Sequence, residues 1–271
     1  MPSVTRPAIT SRQHPLVQAF KRAARGGPDT PALLDGWHLV AEAASAGIPI
    51  ETVAVVADAV DDTRAAMLDH LASAGTRLVT VSAAVLDAMS PVRTPAGIVA
   101  LVTRPSTVPG AAVHPAPALA LLAVGMQDPG NVGATLRAAE AGGATGVLLA
   151  GDSADPFGWK ALRASMGSAL RLPAPVVDDP LEACRHLREA GVRLLATTPR
   201  GGQPMDRVDL TGPVAFILGG EGPGLSDTIV AAADAGITIP MSPPVESLNV
   251  AVAAALLVYE ARRQRRQLQH T

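Results

Sequence analysis

The chain has 271 residues, 48% of them hydrophobic and 2% aromatic, with a formal net charge of −2. That length suits one large domain or two modest ones, and the apolar share excludes wholesale disorder. The near-neutral charge excludes a global basic field, and a single cysteine, Cys184, excludes an internal disulfide or a Cys-rich metal site.

In chain order, "PLVQAFKRAARGG" carries a helical stripe (Leu16, Phe20, Ala23, Ala24) with basic residues on its other side. "PALLDG" reads as a short strand, "WHLVAEAASAG" as a helix stopped by glycine, and "ETVAVVA" as a strand. "TRAAMLDHLASAG" (helix), "RLVTVS" (strand), "AAVLDAMS" (short helix) and "GIVALVTR" (strand) complete a small α/β sandwich. "RPSTVPGAAVHPAPA" is aperiodic and rich in Pro and Ala, the pattern of a stiff, extended linker. The expected division is a first domain over 1–103, a linker over 104–117 and a second domain over 118–271.

In the second part, "ALALLAVG" and "GVLLA" read as strands around the helical "GNVGATLRAAEAGG". There follow "WKALRASMGS" (helix), "APVVD" (strand), "PLEACRHLREAG" (helix), "RLLATT" and "PVAFILGG" (strands), "LSDTIVAAADAG" (helix), "ITIPM" (strand) and a long final helix from near Ser247. Continuous apolar strands separated by helices predict a mostly parallel sheet covered on both faces, with ligands beyond the C-terminal strand ends. Within "DPLEACRHLREAG", Cys184 reads as a small apolar helix residue. The longest apolar run, "VAVAAALLVY", falls short of the ~18 residues of a membrane span. No leader pattern is visible, so the expected location is cytoplasmic.

The dinucleotide, P-loop and nucleophile-elbow fingerprints are all missing, and the six histidines lack metal-ligand spacing. Basic residues, nearly all arginine, gather near the start (Arg6, Arg12, Lys21, Arg22, Arg25) and the end (Arg262, Arg263, Arg265, Arg266). A solvated helix end facing the negative pole of its dipole accounts equally well for the last group.

Three loops stand out. In "GMQDPGNVGATLRAAEAGG", Asn131 is either a helix N-cap or a ligand-facing amide. Arg137 lies ~9 Å further along the axis with only Glu140 as a local partner. The two are candidates to hold a phosphate or a polarised hydroxyl. In "AFILGGEGPGLS", Glu221 sits alone among glycines that permit close backbone approach. It is either a turn residue or a carboxylate aimed at a ligand. In "ITIPMSPPVESLNVAVAAALLVYEARRQ", Ser247 reads as an N-cap and Asn249 as a first-turn residue. The helix that follows is apolar nearly all round and must be buried on several sides, which suggests a second subunit.

Together these loops resemble the three signature motifs of the SpoU (TrmH-like) RNA ribose 2′-O-methyltransferases of the SPOUT superfamily. Asn131, Gly133 and Arg137 match the first. Leu218, Gly219, Glu221, Gly224, Leu225 and Ser226 match the second. Ile239, Pro240, Met241, Ser247, Leu248, Asn249 and Val250 match the third. More loosely, "ITSRQHPLVQAFKRAARG", "ALLDGWHLVAEAASAG" and "TPAGIVALV" resemble the small α/β RNA-binding domain, akin to certain ribosomal proteins, that often precedes it. Departures at Gly220, Pro243, Pro244, Ala138, Ala139 and Ala141 leave the named motif residues untouched.

The resemblance implies methyl transfer from S-adenosylmethionine to a ribose 2′-hydroxyl of RNA, rRNA before tRNA, by a homodimer without metal or membrane. It implies a catalytic domain with a C-terminal trefoil knot whose loops hold the cofactor through Gly219, Ile239 and Leu248, with Leu218, Met241 and Thr197 alongside. It makes Arg137 the essential arginine, acting as base or as stabiliser of an alkoxide or phosphate. Guanidinium chemistry favours the stabiliser. Asn131, Ser247 and Asn249 would orient Arg137 and the ribose, and Glu221 would hold the loop or the arginine. A catalytically silent RNA-binding relative and a small-molecule methyltransferase are the rival readings. The intact motif residues oppose the first, and the basic N-terminal helix and separate first domain oppose the second.

Overall fold

A computed structural model describes residues 8–27, 29–222 and 224–268; Arg6 and His270 lie outside them. The chain forms two compact units, one of residues 1–105 with 157–170, the other of 106–156 with 171–271.

In the first unit β1 (Ala8–Ile9), β2 (Ala32–Asp35), β3 (Ile50–Val56), β4 (Arg77–Val81) and β5 (Ile98–Val102) make one sheet in the order β1-β4-β3-β5-β2. β5 runs antiparallel to both of its neighbours, and the other pairings are parallel. α1 (Pro15–Arg25) and α4 (Ala83–Met89) pack Phe20, Val17, Leu86 and Met89 onto Leu33, Ala54, Val79, Val99 and Leu101. The alternate strand residues, Val53, Val55, Ile98 and Ala100, are also buried, as period-two strands covered on both faces require. α2 (Trp37–Ser45) and α3 (Asp62–Ser73) bury Leu39, Val40, Ala43, Leu68 and Leu71. Every helix and strand expected in 15–102 is present; the two-residue β1 is an addition too short for periodicity to reveal.

In the second unit seven strands are all parallel, in the order β10-β12-β9-β11-β6-β7-β8. They are β6 (Leu119–Val124), β7 (Gly146–Ala150), β8 (Val176–Val177), β9 (Arg193–Thr197), β10 (Gln203–Pro204), β11 (Val214–Gly219) and β12 (Ala235–Thr238). α8 (Pro180–Glu189) covers one face, where Cys184 and Leu187 join Leu122, Leu148, Leu194 and Ile217. Burial pushes the Cys184 thiol up, as befits an inert core residue. α5 (Pro129–Gly142) and α10 (Val250–Leu268) pack on each other; α10 also touches β11 and β6, and α5 touches β7.

Four local expectations need correcting. The stretch 104–118 contains a 3-10 turn, Pro109–Val113, that buries Ala112, whose carbonyl accepts from Thr145 Oγ1 at 2.6 Å. "WKALRASMGS" divides into α6 (Trp159–Ser165) and α7 (Ser168–Arg171), because Met166 takes φ +51° beside Gly167 at +92°. Within the first unit Trp159 packs against the core and α6 touches β2. "LSDTIVAAADAG" yields only α9 (Asp227–Ala231), since Asp234 leaves the helix to accept from Leu194 N at 2.7 Å and from Arg188 at 3.0 Å. β12 therefore starts at Ala235 and ends at Thr238, before Pro240, which lacks the amide a strand ladder uses.

Asp35, at the end of β2, is buried and accepts a 2.5 Å bond from Ser90 Oγ. Burial pushes its carboxyl up, against the downward pull of Ser90 and Arg163. A folded-state value above the unfolded one means the wild type loses stability as pH climbs through the interval between them. Asp35→Asn keeps an acceptor for Ser90 and removes that loss. Urea unfolding followed by circular dichroism should show the variant gaining on wild type as pH rises from the ordinary aspartate range to neutrality; a gain independent of pH would refute this.

Candidate functional site

The parallel order brings the C-terminal ends of β6, β9, β11 and β12 to one edge. Gly219 pairs with Val124, Ile217 with Ala196, and Thr197 with Ile237. There Gly220 N donates to Val124 O at 2.8 Å. A Cβ on Gly219 would lie 2.6 Å from the carbonyl carbon of Gly224, and one on Gly220 would overlap the carbonyl oxygen of Gly125. Main chain packs on main chain, and only glycine fits at both positions.

Beyond this edge lies a cavity of about 550 Å³. Of the expected cofactor residues, Thr197, Leu218, Gly219, Ile239, Met241 and Leu248 all line it, and Glu221, Ser247 and Asn249 line it too. Thr198, next to Thr197 at the same strand end, lines it as well; Pro199, Val230, Ile237 and Ala253 also line it and were not anticipated, because apolar and backbone-only walls carry no composition signal. Asn131 and Arg137 are not among the lining residues. Next in sequence to lining residues Pro199 and Ser247, exposed Arg200 and Glu246 pair at 3.5 Å, a contact worth little in water.

The polar residues form a chain. Asn131 Nδ2 donates to Glu221 Oε1 in a short hydrogen bond, and Asn249 Nδ2 donates to Asn131 Oδ1 at 2.9 Å. Asn249 Oδ1 in turn accepts from Ala251 N and Val252 N at 3.0 and 3.3 Å. One amide thus joins all three segments. Asn131 is not the cap of α5: Asp128 is, accepting from Asn131 N at 2.9 Å, which frees the Asn131 side chain. The "Asp-Pro" step, a capping residue before proline at the first helical position, carried that signal in the sequence. Nor is Ser247 a cap; Asn249 caps α10, and Ser247 is exposed with no side-chain hydrogen bond among the described residues.

Arg137 is exposed and makes no hydrogen bond or ion pair among the described residues. Its expected neighbour, Glu140, is held by Arg171 through a two-pronged pair at 2.7 and 2.9 Å. Six residues of helix turn Arg137 about 120° away from the Asn131 face, so one chain does not bring the two side chains together. Among the described residues no group of three or more His, Cys, Asp or Glu is placed to hold a metal ion.

Comparison with known proteins bears on these features. The SpoU rRNA Methylase family matches residues 118–259, and the MRM3-like substrate binding domain matches residues 29–100. An uncharacterized tRNA/rRNA methyltransferase of Synechocystis sp. is 34% identical over 260 residues, 95% of this chain and 94% of its own. The 23S rRNA (guanosine-2′-O-)-methyltransferase RlmB of Bordetella pertussis is 34% identical over 238 residues, 86% of this chain and 97% of its own. Among solved structures, the AdoMet-bound rRNA methyltransferase from Sinorhizobium meliloti superposes with a TM-score of 0.83 at 26% identity. That superposition covers 94% of this chain and 97% of that one.

Two outcomes test the geometry. Gly220→Ala forces a main-chain shift of the kind that costs ~1–3 kcal/mol, so its melting temperature by circular dichroism should fall by several degrees; an unchanged melt would show that the Gly125 contact yields freely. Glu221→Gln keeps an acceptor for Asn131 and should melt like wild type, whereas Glu221→Ala should lose ~1 kcal/mol. Equal losses in the two variants would mean that charge, not the hydrogen bond, joins the loops.

Proposed function

The chain belongs to the SpoU rRNA methylase family, and from that premise we propose that it transfers a methyl group from S-adenosylmethionine to a ribose 2′-hydroxyl of RNA, with rRNA as the substrate. The observation that carries this is the cavity at the ends of β9, β11 and β12, walled by the second and third motif segments, to which Asn131 of the first is hydrogen-bonded. Its size falls within the ~300–1,000 Å³ of small-molecule sites. Its walls are apolar side chains and tightly packed glycine backbone, suited to a cofactor held by main-chain groups and shape. Thr197, Leu218, Gly219, Ile239, Met241 and Leu248 are the residues we assign to that cofactor. Its C-terminal trefoil knot belongs to the same proposal.

When bound, S-adenosylmethionine supplies a methyl group already activated on a sulfonium. The chain's task is then alignment of the hydroxyl, exclusion of water and stabilisation of charge developing on the ribose oxygen. We assign that last role to Arg137. Its guanidinium is exposed and has no partner among the described residues, so it is open to a substrate phosphate or an alkoxide. Asn131 and Asn249 hold the loops in register, with Glu221 as the anchor of Asn131, and Ser247 faces the cavity as a hydrogen-bonding group for the ribose. A silent relative would have no need of this complete polar chain beside an unpaired arginine.

The active form we propose is a homodimer. α10 buries Ala251, Ala254, Leu257, Val258 and Ala261, yet leaves Val252, Leu256 and Tyr259 at 48, 38 and 49% exposure. Their i, i+4, i+7 spacing makes one apolar stripe that a second copy would cover. Because Arg137 does not line its own chain's cavity, we propose that it serves the cavity of the partner. No helix among the described residues is long and apolar enough to cross a membrane; with rRNA as the substrate, we propose the cytoplasm as the place of reaction.

The test is methyl incorporation from labelled S-adenosylmethionine into total rRNA. Arg137→Ala should abolish incorporation while melting and cofactor binding stay normal; near-normal turnover would remove Arg137 from the site. Leu248→Trp, which fills the cavity, should be inactive for lack of cofactor. Co-refolding these two variants should restore activity in mixed dimers, because one cavity is then intact and faced by an intact Arg137. No recovery, with mixed dimers demonstrated, would place Arg137 in its own chain's site.

A further inference from the structure

The arginines at the end of α10 do not share one role. Arg263 grips Glu260 through two bonds of 2.8 and 2.7 Å and is neutralised. Arg265 is half-buried and donates to the carbonyls of Leu210, Pro117, Ala118 and Gly212 at 3.1, 3.0, 2.8 and 2.7 Å, tying the helix to the starts of β6 and β11. Arg262 donates to Ala141 O at 2.6 Å and lies 5.9 Å from the ring centre of Tyr259. Arg266 is exposed and makes no hydrogen bond or ion pair among the described residues.

Arg262, Arg265 and Arg266 line a cleft of about 320 Å³ together with Leu119 and residues 140–143 at the end of α5. The negative pole of α5 explains why Arg262 turns inward, as the four loop carbonyls do for Arg265. It does not explain Arg266, which reaches no carbonyl. The nearby carboxylate, Glu140, is already paired with Arg171, so none of the three cleft arginines has an acidic partner among the described residues. The chain's net charge is −2, so this local surplus of cation is a departure from its surroundings.

We propose that this cleft is a second contact for the RNA substrate, taken up by backbone phosphates through Arg262 and Arg266. α5 and α10 start together at the Asn131–Asn249 bond and are still joined at Ala141–Arg262. At 1.5 Å per residue, Arg262 and Arg266 lie ~20 and ~26 Å along α10 from Asn249. A stacked strand covers ~20 Å in about six nucleotides, so an RNA that reaches the site is long enough to reach the cleft. The contact reads charge and spacing, not sequence.

The inference rests on the RNA methyltransferase reading, and its test separates the two. A fluorescein-labelled RNA of ~30 nucleotides and mixed sequence is titrated with the full-length protein from roughly 50 to 200 mM salt. Arg266→Gln should weaken binding ~3–10-fold at low salt, with Arg266→Lys restoring it. Arg262→Gln with Arg266→Gln should flatten the slope of log K against log salt by about 1.4, the loss of two phosphate contacts at ~0.7 each. Calorimetric S-adenosylmethionine binding should be unchanged in all variants. Unaltered affinity and slope would overturn the proposal. If the double variant melts early, Arg266→Gln alone decides, since it has no internal bond to lose. Wild-type protein that neither binds this RNA nor methylates total rRNA would overturn the functional reading itself; normal methylation with unaffected variants would overturn only the cleft.

Discussion

The second unit depends on a contact between main chains, where β11 runs into Gly219 and Gly220. Gly219 lies against Gly224, and Gly220 lies against the carbonyl of Gly125. These approaches let the turn after β11 fold back on its strand while it touches the turn after β6. β11 lies between β9 and β6, so what is fixed at its end fixes the neighbouring ends as well. Side chains at either glycine would drive the two turns apart and remove the shared edge on which the cavity stands. The glycines therefore serve first to pack protein on protein, and only through that to shape a ligand site.

On that edge a few polar atoms set register. Asn131 bridges Glu221 and Asn249, and residues 118 apart in sequence meet through a single amide. Asn249 is both the cap of α10 and a donor to Asn131, so the helix start and the loop junction share one side chain. Glu221 becomes intelligible as the outer end of this chain. The arrangement is exposed, and its individual bonds are worth on the order of 1 kcal/mol. Its importance lies in geometry: the first turn of α5, the turn after β11 and the start of α10 are held in one mutual position. Arg137, outside the chain, keeps its charge available.

Most of this architecture was legible. Helix and strand periods located the principal elements, and glycine-terminated helices located their ends, as at Gly143, which caps α5 with φ +83°. What escaped notice was decided by distant partners. Asp234 stops α9 because Leu194 N and Arg188 lie nearby, and no local propensity encodes that. Asn131 and Ser247 both looked like caps because their residue types favour the role. The actual caps, Asp128 and Asn249, sit three residues earlier and two later. For Asp128 a following proline gave the clue. For Asn249 residue type was no guide, since Ser247, equally favoured as a cap, stands two residues before it. The motif residues were found by pattern, but the exposure of Arg137 and its displacement from its own cavity required coordinates.

The scarcity of aromatic side chains has a further result. The only two tryptophans, Trp37 and Trp159, both belong to the first unit, although Trp159 stands 41 residues past Ala118 in the sequence. Trp37 is held by a 3.0 Å bond to Ala96 O with Arg64 stacked over it, and Trp159 packs on the core beneath α1 and α4. The second unit, with its cavity and both arginine sites, carries no tryptophan and one tyrosine, Tyr259. Indole emission is thus a domain-selective probe: it follows the surroundings of the first unit. Introducing one tryptophan on the second unit would give each half of the molecule its own optical signal.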